Sequence, residues 1–415
     1  MQRILQVTMN IRGLLPIVCA LALCGLSFAA YGADRENDAL VSARQKFFGA
    51  ENVDAATGAV RKDKVIFTWA TTTTIPTSVL GRVILLDTFV FQANATPGRT
   101  PFVVQDLIDL RPEAIFLGHG HFDHADNAAY IAKTLDIPIY ASAETCNIME
   151  MDAAYYFGAG ATVKCVSLTS LGSIPGTEIF RIKQLEPLAC IVGFKHLHSV
   201  SVPYDSAFPP VTILNIADSR DAQMYPPGNA KLSYPTAPYL GNLGFLGGPG
   251  GPVAMLYQFV LRGRHNFTFT WHNTSGALKE GCALNGCFGA DVGRHLREIM
   301  GSLPRTDVEL GSVVSPGYTT NGERDIVMYN QSLRSKVFIP IHLDVLAVPS
   351  SSPEWRIGWI AQNKVMGIPE SEQPEARWLV DPIDYLKPQV YSPDDARWSD
   401  PDKANAMEQY CGGGD

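Results

Sequence analysis

Four side chains that can bind a metal ion lie close together in the chain, at His119, His121, Asp123 and His124. On an extended segment alternate side chains point the same way, so we expect His119 and His121 to share one side. A turn into a following helix would bring Asp123 and His124 back beside them. Imidazole nitrogens and carboxylate oxygens suit Zn²⁺. The spacing therefore favours a zinc site over a histidine-rich surface loop.

The segments around these residues alternate between strand and helix. Residues 64–93 contain short β-rich runs separated by polar turns, which predicts a meander that opens a sheet. Residues 100–111 have a helical pattern, and the apolar run 114–121 predicts a buried strand ending at the histidines. A helix over 125–135 and a strand over 137–142 follow. This order predicts an α/β fold.

The second half of the chain has the same character, apart from one irregular stretch. Residues 225–252 are rich in Gly, Pro and aromatic residues, and such insertions are commonly functional loops. The run 253–263 has no clear period and predicts either a helix or a core segment. The remaining elements are predicted as strands at 163–168, 178–185, 191–202, 211–217, 266–273, 306–314 and 336–345, and as a helix at 290–303.

The segment His-x-His-x-Asp-His resembles the signature of the metallo-β-lactamase superfamily of metal-dependent hydrolases. The resemblance can be followed over residues 64–345. It implies an α/β fold, the four-layer αβ/βα sandwich, in which two sheets lie face to face with helices outside. It also implies metal ions at the edge where the strand ends converge.

Further residues are similar to the family pattern. Asp87, at the end of a strand, resembles the early Asp that supports the metal site from behind its ligands. The family places a ligand His just before Ser or Thr, which favours His198 over His196 as a metal ligand. His342, after a branched apolar strand, resembles the final metal-binding His.

The chain departs from the family at Asn273, where most members have an Asp that bridges two metals. An uncharged amide bridges two dications poorly, so the resemblance leaves the count at one or two Zn²⁺. One arrangement is a single zinc, whose ligands would be Asp123, His124, Asn273 and His342. A second arrangement has His272 in place of the missing ligand, and a third has a zinc held by His119, His121 and His198.

The resemblance implies hydrolysis by a zinc-bound hydroxide, with Asp123 as the residue that orients the water. The substrate would be a small or medium organic molecule. A hydrolytic dehalogenase or a phosphodiesterase of the same superfamily is an alternative, and a noncatalytic exported zinc-binding protein is another. Serine catalysis is disfavoured because no G-x-S-x-G motif is present, and the run 244–251 lacks the Lys of a phosphate-binding P-loop.

The composition and net charge exclude several classes of protein and of binding partner. The 415 residues are 46% hydrophobic and 18% charged, which excludes disordered, collagen-like and coiled-coil classes. The net charge of -8 predicts no nucleic-acid partner. The same charge weakly disfavours highly anionic substrates, so ester, lactone or amide substrates rank above phosphodiesters.

The first residues resemble an export signal. Arg3 and Arg12 precede the apolar run 14–30, which ends in small residues. We expect cleavage rather than a membrane anchor, no stable membrane insertion afterwards, and a periplasmic or secreted protein. The predicted divisions are a signal peptide at 1–33, an N-terminal extension at 34–63, a hydrolase domain at 64–368 with the insertion 225–252, and a C-terminal tail at 369–415.

Six cysteines remain after the predicted cleavage, and export makes disulfides possible. Cys282 and Cys287 enclose a short loop and are the favoured pair. Fifteen pairings of six cysteines remain open. No Cys-x-x-Cys motif is present, so structural disulfides are favoured over a cysteine metal site.

Overall fold

The computed structural model describes residues 35–90, 99–208, 250–313, 318–342, 344–345, 348–349, 352–380 and 383–412. The predicted signal peptide and most of the predicted insertion lie outside the described residues, as does the predicted strand at 211–217.

The described strands, in chain order, are β1 (Val65–Phe67), β2 (Ile75–Val79), β3 (Arg82–Leu86), β4 (Ile115–Phe116), β5 (Ile139–Ala141), β6 (Cys165–Ser167), β7 (Ile179–Ile182), β8 (Ala189–His196), β9 (Ala254–Leu261), β10 (Thr268–His272), β11 (Cys282–Ala283), β12 (Gly286–Cys287), β13 (Val308–Ser312), β14 (Val337–Ile341), β15 (Asp344–Val345), β16 (Val348–Pro349), β17 (Glu375–Ala376) and β18 (Gln389–Tyr391). The described helices are α1 (35–48), α2 (Val104–Asp109), α3 (Phe122–Ala125), α4 (Ala128–Leu135), α5 (Ala143–Phe157), α6 (Ala290–Ser302), α7 (Tyr318–Asn321), α8 (Arg324–Leu333), α9 (Ser352–Val365) and α10 (Lys403–Cys411).

The first sheet has the strand order β18-β1-β2-β3-β4-β5-β6. Strands β1, β2 and β3 form the predicted antiparallel meander. Strands β3 to β6 are parallel, so the chain must cross over between them, and helices α2 to α5 make these crossings. The Ser142 hydroxyl caps α5 by accepting a hydrogen bond from Thr145 N.

The second sheet has the order β17-β14-β13-β10-β9-β8-β7. Neighbouring strands are antiparallel along β7-β8-β9-β10. They are parallel along β10-β13-β14. The run 253–263 contains β9, whose residues are all buried. A strand covered on both faces needs apolar residues at nearly every position, which explains why this run shows no period.

The two sheets face each other across a shared core. The rings of Phe67 and Phe269 lie 4.9 Å apart, and those of Phe116 and Phe259 lie 5.3 Å apart. The other face of the second sheet packs against helices: Val192 of β8 belongs to an outer core shared with α6, α8 and α10. The predicted four-layer αβ/βα sandwich is confirmed.

The predicted C-terminal tail is built into this body. Strand β17 pairs with β14 in the second sheet, and β18 pairs with β1 in the first. Trp398 is buried, and buried Lys403 forms an ion pair with buried Asp307. The predicted N-terminal extension contributes buried Phe47 and Phe48 from α1. Both flanking segments therefore belong to the same folded unit as the sheets.

Three disulfides are present among the described residues. The predicted pair Cys282–Cys287 is confirmed, and the other two are Cys146–Cys165 and Cys190–Cys411. The last of these ties α10 to β8. Within the described ranges, no helix combines the length and apolar character needed to cross a bilayer.

Candidate metal centre

Five strands deliver the predicted site residues to one region. In the first sheet, Asp87 follows β3 and His119 follows β4 closely. In the second sheet β8, β10 and β14 run in the same direction, and their ends carry His198, Asn273 and His342. Residues that are distant in the sequence therefore meet where strands end.

The first set of donors is the three-histidine group, made of His119, His121 and His198. One ring nitrogen of each lies within 4.8 Å of the others. The Nε2 atoms of His119 and His198 are 3.3 Å apart. All three side chains are buried, so the surrounding protein rather than bulk water sets their environment.

The second set is the mixed group, made of Asp123, His124 and His342, whose donor atoms also lie within 4.8 Å of one another. The Nε2 atoms of His124 and His342 are 3.3 Å apart, and each lies 3.5 Å from Asp123 Oδ2. The two groups adjoin, since the ring centres of His119 and His124 are 4.1 Å apart.

Hydrogen bonds on the far side of the rings define where the lone pairs point. His119 Nδ1 lies 2.8 Å from Asn273 Oδ1, and His198 Nδ1 lies 2.8 Å from the carbonyl oxygen of Ser199. Both partners are acceptors, so each neutral ring carries its proton on Nδ1 and donates it. Two unprotonated Nε2 atoms then face each other, which is unfavourable without a cation. This arrangement fits a metal ion.

His124 is oriented in the same way by Asp87. His124 Nδ1 lies 2.8 Å from Asp87 Oδ2, so its proton faces the carboxylate and its Nε2 faces the mixed group. Asp87 also accepts hydrogen bonds from Thr73 Oγ1 and from Gly118 N. Asp87 therefore contacts His124 on the side away from the mixed group, where the resemblance places a supporting residue.

Electrostatics keep the imidazoles of the three-histidine group neutral. Burial, reinforced by neighbouring histidines, holds the pKa of His119 and of His198 well below its usual range. Burial lowers the pKa of His121 to about 4. Burial alone would raise the pKa of Asp123, but His124 and His342 outweigh it and hold the pKa below its ordinary value. Neutral imidazoles and an ionised carboxylate are the forms that bind metal.

Two fully buried ring nitrogens of the groups have no hydrogen-bond partner among the described residues, namely His121 Nε2 and His342 Nδ1. His342 also has a φ of 63°, in the left-handed region, and its N–H donates to the carbonyl oxygen of Thr72. Buried strain of this kind is commonest at functional sites.

Asn273 lies behind both groups. Its Oδ1 accepts from His119, and its Nδ2 lies 2.7 Å from Asp87 Oδ2. The predicted single-zinc set that includes Asn273 differs from this geometry, because both polar ends of the amide are already bound to protein groups. The remaining three members of that set form the mixed group.

The two alternative histidines of the sequence analysis, His196 and His272, lie outside the two groups. His196 Nδ1 is 2.9 Å from the Tyr329 hydroxyl, so of the two candidates on this segment the structure brings only His198 to the site. His272 Nε2 is 2.9 Å from Glu309 Oε1, and its Nδ1 faces the carbonyl oxygen of Thr274. Both His272 nitrogens face oxygen atoms, which contradicts the arrangement with His272 as replacement ligand.

Sequence reasoning did not find the residues that hold the site from behind. Thr73 lies in the run 71–74 of four threonines, a polar run beside a strand that offered a signal for such a role. Glu309 of β13 and Tyr329 of α8 contact His272 and His196, outside the two donor groups, and gave no comparable signal. Their contacts join segments far apart in the chain.

Comparisons with known proteins agree with this architecture. Residues 78–206 match the family model described as "Metallo-beta-lactamase superfamily". None of the curated proteins compared matches the chain.

Several solved structures resemble the chain at low identity. The metallo hydrolase Igni18 from Ignicoccus hospitalis is 13% identical, with 79% of this chain and 98% of that chain covered and a TM-score of 0.45. For YhfI of Bacillus subtilis, described as a metallo-beta-lactamase fold protein, the values are 9%, 80%, 99% and 0.38. For Zn²⁺-bound PqqB of Methylobacterium extorquens they are 12%, 74%, 85% and 0.36. At such low identity these similarities concern the fold alone. The family-model match over residues 78–206, together with the two-sheet fold, confirms the predicted resemblance of the chain to the metallo-β-lactamase superfamily.

Proposed function

We propose that this protein is a zinc-dependent hydrolase of small or medium organic substrates with an ester, lactone or amide bond. The observation that carries the proposal is that each donor group contains two Nε2 atoms facing each other at 3.3 Å. In His119 and His198 the proton is held on the opposite ring nitrogen. Both facing atoms of that pair therefore carry lone pairs, and neither can donate a hydrogen bond to the other. A metal ion satisfies both.

The donor set fits zinc. Together the groups offer five imidazoles and one carboxylate, a combination that suits Zn²⁺ better than Mg²⁺ or Ca²⁺, which prefer oxygen ligands. We assign one ion position to the three-histidine group and a second to the mixed group. Three protein ligands each leave room for water or substrate, as in catalytic zinc sites.

When bound, zinc lowers the pKa of a water molecule towards neutrality and polarises the substrate oxygen. The chain's own residues supply the rest. Asp123 stays ionised beside His124 and His342, so it can accept a hydrogen bond from the attacking water and orient it. The contact between His124 Nδ1 and Asp87 fixes the His124 ring, so its Nε2 stays directed at the other donors of the mixed group. The role of Asp123 as the water-orienting residue is part of the proposal.

The substrate class rests on charge. The net charge of the chain is -8, so the long-range field repels highly anionic substrates, and a neutral ester, lactone or amide is favoured over a phosphodiester.

The proposal is tested by metal analysis and a substrate panel. We expect purified protein to bind zinc and to hydrolyse at least one chromogenic ester, lactone or amide. His121→Ala should lose most of the activity because it removes a donor of the three-histidine group. His295→Ala is the matched control, since His295 is an exposed histidine on α6.

Two outcomes would contradict the proposal. Protein that holds no zinc after incubation with the metal would remove the hydrolase assignment. Zinc binding without hydrolysis of any member of the panel would favour the noncatalytic alternative.

We also propose that the protein is exported to the periplasm or secreted. Three disulfides support this, because they persist in oxidising compartments, and so does the positively charged and apolar pattern of residues 1–33. Mass spectrometry of the exported protein should show a chain that lacks about the first 33 residues. An intact N-terminus in the membrane fraction would instead indicate an anchor.

A further inference from the structure

We infer that Asn273 is a positioning residue that links the two donor groups from behind. The inference deepens the proposed function, on which its metal-binding consequences rest.

The oxygen end of the amide serves the three-histidine group. Asn273 Oδ1 accepts a hydrogen bond from His119 Nδ1 over 2.8 Å, and neither side chain is open to solvent. A neutral imidazole has one proton, so this bond fixes the proton on Nδ1 and leaves Nε2 free to bind metal. Without the acceptor, the ring of His119 could turn or change tautomer.

The nitrogen end of the amide contacts Asp87, which in turn contacts the mixed group. Asn273 Nδ2 donates to Asp87 Oδ2 over 2.7 Å, and the same oxygen lies 2.8 Å from His124 Nδ1. Asp87 therefore takes one hydrogen bond from Asn273 and another from a ligand of the mixed group. The amide thus reaches the second set of donors through a shared carboxylate oxygen, and its Nδ2 also lies 3.1 Å from His124 Nδ1 itself.

In the observed geometry, the two contacts of side chain 273 need an acceptor at one end and a donor at the other. A carboxylate at position 273 would still accept from His119, but its other oxygen would lie against Asp87 with no proton between them. Two carboxylates in a buried site cannot both stay charged at this distance. Only an amide both accepts at one end and donates at the other.

The backbone leaves space for this amide. A Cβ on Gly118 would lie 2.1 to 2.3 Å from the amide atoms of Asn273, far inside any real contact. Gly118 also donates its N–H to Asp87 Oδ1. The close approach of the Asn273 amide to a glycine, and the bond from that glycine to Asp87, show that the link is packed from several sides.

The segment that follows Asn273 is held as well. His272 is bonded to Glu309, and Thr274 Oγ1 accepts from the N–H of Ser199, next to His198. Asn273 therefore lies on a turn whose flanking residues are fixed by both β13 and the segment after β8. A turn fixed in this way holds the amide at the position that both groups need.

The test uses full-length protein with two variants at the link. Asn273→Asp should lower the stability of the metal-free protein and weaken zinc binding about 10- to 100-fold, the usual loss when a partner of a metal ligand is removed. Asn273→Ala should weaken zinc binding at both positions.

The control is Asn266→Asp, the same change at a partly buried loop residue whose side chain acts only as an acceptor. It should leave the stability and zinc binding close to those of the unmodified protein. A further readout is the imidazole region of the ¹H–¹⁵N spectrum of metal-free protein. The Nδ1 proton of His119 should be protected in the unmodified protein and lost in Asn273→Ala.

The outcomes separate the inference from the proposed function. If Asn273→Asp gains zinc without losing stability, or if Asn273→Ala leaves zinc binding unchanged, Asn273 is not a positioning residue. If Asn273→Asp fails to fold, Asn273→Ala decides: loss of zinc binding and of the protected Nδ1 proton supports the link, and retention of both overturns it. If the unmodified protein binds no zinc, the proposed function fails, while the stability comparison and the Nδ1 proton still decide the inference.

Discussion

Replacing Gly118 by alanine is a small change with a large expected effect. The added Cβ would lie 2.1 Å from the nearest atom of the Asn273 amide, whereas ordinary contact begins at 3.4 Å. A shift of about 1.3 Å is therefore needed, the difference of these two distances. The backbone of Gly118 is not in the left-handed region, so alanine adds no backbone strain of its own.

The shift breaks hydrogen bonds whichever part moves. If Asn273 moves, its bonds of 2.8 and 2.7 Å to His119 and Asp87 are stretched beyond bonding distance. If Gly118 moves, its own bonds to Asp87 and Met255 are lost instead. Two buried hydrogen bonds left unmade cost about 2 to 6 kcal/mol, well above the roughly 0.4 to 1 kcal/mol that Gly→Ala gains by restricting the unfolded chain.

Urea unfolding of the metal-free protein measures this loss. With a slope of about 3 kcal/mol per molar urea, the midpoint should fall by about 0.7 to 2 M. Gly263→Ala is the matched control, because a Cβ at Gly263 meets open space. A Gly118→Ala protein that unfolds at the same midpoint as the control and binds zinc equally well would refute the packing of Asn273 on Gly118.

Three further predictions concern the body of the fold. Lys403→Met leaves the buried carboxylate of Asp307 without its nearest cation, so urea unfolding should show a loss of about 3 kcal/mol, partly recovered when Asp307→Asn is added. Burial raises the pKa of Glu323, so the native state holds its proton at higher pH than the unfolded state, and stability should fall as pH rises above the ordinary value of 4.5; Glu323→Gln should remove that fall in pH-dependent thermal unfolding. Cys411→Ser opens the link to Cys190 and should cost about 2 to 5 kcal/mol in the same urea assay.

The sequence predicts the part of the site that is local. His119, His121, Asp123 and His124 fall on one strand-to-helix turn, so spacing alone brings them together. The meander before them and the parallel strands after them were also predictable from alternation and from turn residues. These features depend on neighbours within a few positions.

The role of Asn273 was beyond sequence reasoning because it depends on distant residues. Its partners Asp87 and His119 lie 186 and 154 positions away in the chain. Whether the amide ligates metal or links the ligands depends on where those side chains point. For the same reason, sequence reasoning could not single out the pairing of Cys190 with Cys411, which lie 221 positions apart.

The choice between His196 and His198 has another physical cause. The two positions are two residues apart, so strand alternation places them on the same side and cannot separate them. The strand ends at His196, which stays against Tyr329, and the chain then turns to carry His198 into the three-histidine group. Only the family pattern, in which the ligand His directly precedes Ser or Thr, distinguished them, because Ser199 follows His198.

The incorporation of residues 375–411 into both sheets has a consequence for how the molecule is assembled. Val65 of β1 pairs with Tyr391 of β18, so the edge of the first sheet stays open until residues near the end of the chain arrive. Contacts this far apart in the chain form slowly, because the long intervening loop must be closed first. Strand β8, which leads to His198, is joined to the far end of the chain by the disulfide between Cys190 and Cys411. A chain that ended before residue 375 would therefore carry every donor of both groups but leave this edge open and β8 without its disulfide.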